Sequence, residues 1–271
     1  MVSAQHRQRF YVTNFGDIEQ PEDRGILLRD VLESGKDLSC RITTVQKDNQ
    51  ICEPVRVGSL PRPNGELSSS QGMRVYSIKG KSVNLTSSGG GLGGKTGLYA
   101  IPIEFNEDIP IKAVSCTDGK VYTVYEVRDG QITIKGRRYP IKLQDGYYII
   151  RKLTPSECER LQTLPDGYTS GVSDTQRFRA LGNGWTAEII VYLLNHALKD
   201  VPRDRELIVL SMYDGIATGR YCLDKMGFTN VKYYAYEIDP YAIKIAMSNY
   251  PDIVQCGDAF RVRDDDWKIP D

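Results

Sequence analysis

Residues 207–211 form an apolar run that passes into Tyr213-Asp214-Gly215-Ile216-Ala217-Thr218-Gly219, and a helix-forming segment follows. A buried strand that turns through glycines into a helix can bring backbone N–H groups close to a ligand at the carboxyl edge of a parallel sheet. Such a loop is expected to open a Rossmann-like domain, yet here it begins only after residue 212 of 271. The α/β sheet it starts is therefore confined to the last quarter of the chain, and most of the remaining residues must belong to something else.

The length allows one large domain or two of ordinary size. There is no run of eighteen apolar residues, and MVSAQHRQRF is charged where a signal peptide needs an apolar stretch. Membrane and secretory classes are thus not expected, and a cytoplasmic location, in a bacterium or a phage-infected host, is. Cys40, Cys52, Cys116, Cys158, Cys222 and Cys256 have no CxxC or Cys/His spacing, and only two histidines occur. No metal site is expected, and the thiols read as reduced and structural. Basic and acidic residues balance overall, at 20 to 17 over residues 1–150 and 9 to 12 over 201–271. Any polyanion site must be a local patch in the first half.

Residues 9–14 (RFYVTN) have the β-branched and aromatic content of a short strand, and 15–50 look weakly structured. From 59 to 96 the chain is rich in Gly, Ser and Pro around a possible strand at 73–78. Between 101 and 150, apolar runs separated by Asp118-Gly119, Asp129-Gly130 and Asp145-Gly146 predict an antiparallel meander. Thr154-Pro155-Ser156-Glu157 is a capping box with Pro at the first helical position, predicting a helix to about Leu164. A second helix over 186–198 has one apolar face. Beyond the polar link 199–205, strands at 207–211, 231–236 and 253–255 alternate with helices at 219–226 and 240–249.

At the ends of those strands lie carboxylates. Asp239 before Pro240 reads as a helix N-cap. Glu237 then remains as the acid able to accept both hydroxyls of a ribose, and Asp258 is a second acid at the same edge, suited to an exocyclic amine. The glycine loop by itself is equally compatible with an ordinary βα turn.

VLSMYDGIATGRYCLDKMGF, YEIDPYAI and GDAF resemble the first three conserved blocks of DNA cytosine-5 methyltransferases, with Tyr213 at a position usually held by Phe. RKLTPSECERLQTLPDGY and RFRALGNGW resemble the last two blocks, and Gln5-His6-Arg7-Gln8-Arg9 the "QxRxR" block. The likeness covers residues 1–14 and 146–271; between them it rests on position. It implies an α/β fold: a partial Rossmann-like S-adenosylmethionine-dependent methyltransferase sheet plus a small antiparallel β target-recognition domain. Its divisions are a catalytic-domain strand and arginine block (1–14), a target-recognition region (15–150), the C-terminal methyltransferase helices (151–200) and the N-terminal cofactor-binding half (201–271).

The implied cofactor is S-adenosyl-L-methionine. By position Tyr213 lies against it, Asp214, Gly215, Ile216, Ala217, Thr218 and Gly219 cradle its methionine part, Glu237 holds ribose, Ile238 faces adenine, and Asp258 with Ala259 meets the adenine amino group. Asn183, Gly184 and Trp185 would complete the methionine end, although Trp185 reads equally well as a core anchor. Arg7 and Arg9 would lie beside a flipped cytosine in a supporting catalytic role; surface charge is their unremarkable alternative. The implied partner is double-stranded DNA, with Lys95, Lys135, Arg137 and Arg138 as backbone-phosphate contacts or, equally, a solvated surface.

The family's chemistry needs a cysteine thiolate in a Pro-Cys-Gln loop and an acid in a Glu-Asn-Val block. Neither block occurs, and no cysteine follows a proline. The expectation is a circularly permuted or split enzyme: a chain that transfers methyl to cytosine C5 only with a partner polypeptide carrying those two blocks. The alternatives are a non-catalytic cofactor- or DNA-binding regulatory module, or an inactive truncated or fused product. A permutation would join the last helix to the first strand through 199–205, and the absence of the strands that carry those two blocks, which would pair with 207–211, would leave that strand as an apolar edge. Finally, GGGLGGKT at 89–96 fits the P-loop expression, but no apolar strand leads in and no helix-forming run follows, so triphosphate binding is not expected.

Overall fold

A computed structural model describes residues 2–33, 53–88, 92–103, 113–115 and 121–263. In chain order they form strands β1 (Arg56–Ser59), β2 (Arg74–Ser77), β3 (Leu98–Ile103), β4 (Ala113–Ser115), β5 (Val121–Arg128), β6 (Gln131–Ile134), β7 (Arg137–Pro140) and β8 (Gly146–Arg151). Helices α1 (Pro155–Leu161), α2 (Asp174–Asn183) and α3 (Ala187–Ala197) follow, and then β9 (Leu207–Met212), α4 (Thr218–Lys225), β10 (Val231–Tyr236), α5 (Pro240–Asn249) and β11 (Val254–Gln255).

The first eight strands make one sheet in the order β1-β2-β3-β8-β5-β6-β7, with β4 paired to β5; every pairing is antiparallel except β2 with β3. Asp129 and Gly130 both take positive φ (50° and 69°), as do Lys135 and Gly136 (49° and 77°), so β5, β6 and β7 are joined by two-residue turns whose twist matches the strands. The expected meander holds from β4 to β7, since β4 also pairs antiparallel with β5, and the expected Asp118-Gly119 turn lies outside the described residues. It fails at β8, which returns to lie between β3 and β5. The run YYII carries apolar side chains on both faces, and a strand so built is stable only where both faces are covered. Ile149 packs toward the helices with Tyr99, Ile101 and Val124, while Tyr148 and Ile150 pack on the opposite face with Leu98, Ala100 and Val127. The strand path nearly closes on itself, because the Lys142 N–H beyond β7 donates to the Val57 carbonyl of β1 at 2.7 Å.

No strand forms over residues 9–14; among the described residues of the N-terminal segment the β-pairing is a bridge between Gln5 and Ser82. Phe10 and Val12 are fully exposed, so the β-branched and aromatic side chains that suggested a strand have no surface to bury against, and β-propensity without packing does not make a ladder.

The capping box is formed: Thr154 Oγ1 accepts from Glu157 N–H at 3.2 Å and Glu157 Oε2 from Thr154 N–H at 2.8 Å. α1 ends at Leu161, earlier than the expected Leu164, because Thr163 turns into the left-handed region (φ 57°) ahead of Pro165. The last three strands form a parallel sheet in the order β11-β10-β9, as expected for the start of an α/β unit. Among the described residues β9 pairs only with β10, and Ile208 and Leu210 on one of its faces are 48% and 38% exposed. α3 packs on α4, and Leu194, Leu198 and Val201 join the core of the parallel sheet, so the helices lie between the two sheets. No helix among the described residues is long and apolar enough to cross a membrane.

Glu157 is fully buried and receives both guanidinium nitrogens of Arg151, at 2.8 and 2.7 Å. Replacing Arg151 with Met leaves a buried carboxylate without its counter-charge and is expected to cost about 3–5 kcal/mol. Urea unfolding should show this loss, with a smaller loss for the Arg151→Met, Glu157→Gln pair.

Candidate functional site

Three αL residues in five shape the loop after β9: Tyr213 (φ 55°), Gly215 (φ 66°) and Ala217 (φ 59°), the last being the N-cap of α4. Positive φ in two residues that bear a Cβ costs on the order of 1–3 kcal/mol each, a strain that persists only where the surroundings enforce it. Here they do. Asp214 N–H donates to the Tyr236 carbonyl at 3.1 Å, Gly215 N–H to Glu237 Oε2 at 2.8 Å, and the Tyr168 hydroxyl to the Ile216 carbonyl at 2.9 Å. Glu237 Oε1 also takes the N–H groups of Ile238 and Asp239, both at 2.8 Å, so one carboxylate ties together the loops after β9 and β10. Asp239 Oδ1 accepts from Tyr241 N–H at 2.9 Å ahead of Pro240, the N-cap expected of it.

Asp214 is the most unusual group. Its Oδ1 accepts from Ser211 Oγ and from the Tyr233 hydroxyl, both at 2.7 Å, and the Ala217 N–H lies near the carboxylate, while Oδ2 is buried with no hydrogen bond of full geometry. Burial, and to a lesser degree Glu237, raises its pKa above the ordinary aspartate value. Such an oxygen faces a desolvation cost that a cationic donor would remove.

A cavity of about 540 Å³ opens beside these loops, a size typical of small-molecule sites. Of the residues expected at the cofactor, it is lined by Tyr213, Asp214, Gly215, Ile216, Thr218, Glu237, Ile238, Asn183, Gly184 and Trp185. Trp185 is 47% exposed at the cavity wall, which is not the position of a core anchor. Four residues fall outside the lining. Ala217 is buried behind the loop. Gly219 is small for a packing reason, since a Cβ there would lie 2.7 Å from the Tyr233 hydroxyl. Asp258 and Ala259 sit at the end of β11, where Asp258 Oδ1 caps Phe260 N–H at 2.9 Å and Phe260 meets Tyr213 edge-on.

Gln176, Arg179 and Ala180 of α2, with Tyr241 of α5, complete the walls, and Arg179 reaches Asp239 Oδ2 at 3.3 Å across the cavity. Sequence reasoning did not find them. Gln176, Arg179 and Asn183 recur at helical spacing, a signal that becomes legible only once α2 is recognised as a helix.

Arg7 is half-buried beside the Gly184 wall of the cavity. Its guanidinium donates to Asn84 Oδ1 and the Gly184 carbonyl, each at 2.8 Å, and more loosely to the carbonyls of Leu85 and Gly182. Burial, followed by repulsion from Arg9, pulls its pKa down to about 10. It satisfies the orphan carbonyls at the end of α2, bracing the Asn183-Gly184 wall from behind. Arg9 is exposed and donates only to the neighbouring Gln8 carbonyl. Lys135, Arg137 and Arg138 are exposed on the β6–β7 hairpin, and Lys95 lies on the turn that leads into β3.

Burial raises the Cys158 thiol well above its ordinary pKa and pushes Cys222 to about 12, the opposite of nucleophile activation. Cys40, Cys52 and Cys116 lie outside the described residues, as do Gly89, Gly90 and Gly91 of the P-loop-like tract. The described part of that tract leads into β3, not a helix. Among the described residues no cluster of three potential metal ligands occurs.

A family model for C-5 cytosine-specific DNA methylase matches residues 3–199. Over 78 residues the chain is 36% identical to the DNA (cytosine-5)-methyltransferase DRM2 of Oryza sativa subsp. japonica, covering 29% of this chain and 13% of that protein. The matched segment is thus a small part of that relative's length.

Replacing Arg7 with Met removes a charged donor from several carbonyls and is expected to cost about 2–3 kcal/mol of stability. Chemical denaturation measures this directly, and Arg9→Met in the same assay should change stability little.

Proposed function

Because the chain belongs to the C-5 cytosine-specific DNA methylase family, we propose that it supplies the S-adenosyl-L-methionine pocket and the DNA-recognition part of an enzyme that methylates cytosine C5. The observation that carries this reading is the buried, unpartnered Asp214 Oδ2 beside a cavity walled by strand-end loops. An α-ammonium is the donor such an oxygen lacks, and the cofactor's methionine part carries one.

Glu237 keeps lone pairs beyond its three backbone donors and would accept the ribose hydroxyls. Ile238, largely exposed beside it, would lie against adenine, while Asn183, Gly184 and Trp185 close the methionine end. When bound, the cofactor supplies an electrophilic methyl on its sulfonium. Arg9 is available beside the nucleic acid, whereas Arg7 acts from behind the pocket wall. The attacking thiolate would come from outside residues 1–271, on a partner polypeptide bearing the Pro-Cys-Gln and Glu-Asn-Val blocks. Burial of Cys158 and Cys222 supports that assignment. The packing of α3 on α4, and the shared core that Leu194, Leu198 and Val201 form with the parallel sheet, support a permuted order of the family's blocks.

Calorimetric titration with S-adenosyl-L-methionine should give binding that Asp214→Asn and Glu237→Ala each weaken about tenfold or more, as expected for loss of a charged hydrogen bond. No heat at millimolar ligand would discard the pocket. The pH dependence has a definite sign. Protonation of Asp214 removes the counter-charge for the ammonium, so affinity falls as pH drops through the raised Asp214 pKa, and Asp214→Asn flattens that profile. Without ligand, the same raised pKa means that the Asp214 contribution to stability is greatest below the ordinary aspartate range and is lost as pH rises through the raised value.

Residues 1–271 alone should not form a covalent adduct with a duplex containing 5-fluorocytosine. Adduct formation by the chain unaided would refute an external thiolate.

A further inference from the structure

The tract Gly93-Gly94-Lys95-Thr96 plays no part in the cofactor cavity, yet it is firmly built. Thr86 N–H donates to the Lys95 carbonyl at 3.0 Å and Thr86 Oγ1 to the Gly94 carbonyl at 3.1 Å, while Gly93 N–H reaches the Gly72 carbonyl at 2.8 Å. This turn forms one wall of a second cavity, of about 170 Å³, whose other walls include Lys152, Thr175 and Phe178. The Lys152 ammonium sits over the Phe178 ring, 4.8 Å from its centre. Neither Lys95 nor Lys152 is paired with a carboxylate among the described residues. Thr175 stands in the first turn of α2, a ten-residue helix whose N-cap Ser173 makes no side-chain capping bond, so the positive end of the helix lies beside this wall. The nearby acid, Asp174, pairs with Arg177 at 3.8 Å.

Two ammoniums unpaired with any described carboxylate, the exposed Thr175 hydroxyl and the start of α2 border a cavity of a size that suits a single tetrahedral oxyanion, while the buried Thr96 hydroxyl is taken, donating to the Gly97 carbonyl at 2.9 Å and accepting from Leu153 N–H at 3.3 Å. Thr96 leads into β3, without the helix that a triphosphate loop requires. Lys152 and Thr175 are exposed, leaving the mouth open to a phosphate that continues along a chain in both directions. The site also lies against the cofactor cavity: Thr175 and Phe178 face this one, while Gln176, Arg179 and Asn183 of the same helix face the other. We propose that this cavity seats one backbone phosphate of the duplex DNA substrate, gripped by Lys95 and Lys152. The inference rests on the DNA-methylating reading of the chain, which it deepens by fixing where the strand is held.

The test measures duplex DNA affinity against salt for the wild-type chain and for K95Q/K152Q, with Lys232→Gln as a control in the parallel sheet. The double variant should bind about tenfold more weakly at moderate salt. Its slope of log K against log salt should fall by about 1, the value for one phosphate no longer neutralised. Its S-adenosyl-L-methionine affinity should match wild type, which also shows that the fold is kept. A walk of single methylphosphonate substitutions along the duplex should find one position that weakens wild type but not the double variant.

Wild-type affinity and slope in K95Q/K152Q would overturn the assignment and leave the methyltransferase reading standing. Lysine-dependent binding of inorganic phosphate, with DNA affinity indifferent to both lysines, would make the cavity a small-anion site and equally overturn it. Failure of the wild-type chain to bind duplex DNA at any salt would overturn this inference together with the DNA reading, while cofactor calorimetry would still report separately on the pocket.

Discussion

Two carboxylates buried on one short helix hold the layers together. Glu157 and Glu159 of α1 are both fully buried, and a carboxylate withdrawn from water is tolerated only when its oxygens are surrounded by donors. Their donors come from different parts of the fold. Glu157 takes Arg151 from the end of β8 and the N–H of Glu33 from the N-terminal segment. Glu159 takes the N–H groups of Gly167 and Thr169 and the guanidinium of Arg177 on α2. A helix of seven residues thus joins the large sheet to the helical layer through contacts that cannot be loosened singly without stranding a charge.

From that junction the order passes to the strained loop after β9. The turn that Glu159 closes carries Tyr168, whose hydroxyl donates to Ile216 and Ala217, and the Tyr168 carbonyl accepts from Asn249 of α5 at 2.9 Å. The left-handed conformations of Tyr213 and Ala217 are therefore imposed from outside the loop, by Tyr168 from the helical layer at the Ala217 end and by Tyr236 and Glu237 of the neighbouring strand end at the Tyr213 end. This is pre-organisation in a physical sense: the cost of shaping the loop and of burying Asp214 is met by the fold before any ligand arrives, so a cation meeting Asp214 Oδ2 finds an oxygen already desolvated.

Those features that rest on local chemistry were legible in the sequence. Thr154-Pro155 and Asp239-Pro240 cap helices because a short oxygen side chain followed by proline has few other uses, and Asp129-Gly130 makes a hairpin because both residues accept positive φ. The alternation of strand and helix after residue 206 was also plain, and with it most of the cavity loops. What depended on distant partners was hidden. α2 escaped notice because only Phe178, Leu181 and Gly182 face the core, while its polar residues line a cavity in place of solvent. The central place of β8 follows from its cover on both faces, which no local pattern declares. Arg7 looked like a residue for a substrate, and its burial against the carbonyls of Gly182 and Gly184 could be seen only once a segment 175 residues away was folded beside it. For residues 9–14 the error was the reverse: good strand chemistry with nothing to pair with.

α2 turns these constraints into a fixed spacing. At its start Arg177 is bound to the buried Glu159, and at its end the carbonyls of Leu181, Gly182 and Gly184 are held by Gln162 and Arg7. Gly182 packs so closely that a Cβ there would come within 2.3 Å of the backbone at Thr86 and Ser87. A helix pinned at both ends and pressed against backbone can neither slide nor rotate without breaking buried hydrogen bonds, each of which resists with about 1 kcal/mol or more. Since one face of this helix walls the large cavity and the adjacent face walls the small cationic one, the separation of the two sites is set by the width of a helix. Rigid placement of this kind is what group transfer between two bound molecules requires, because misplacing reacting groups by even about 1 Å carries a large kinetic penalty.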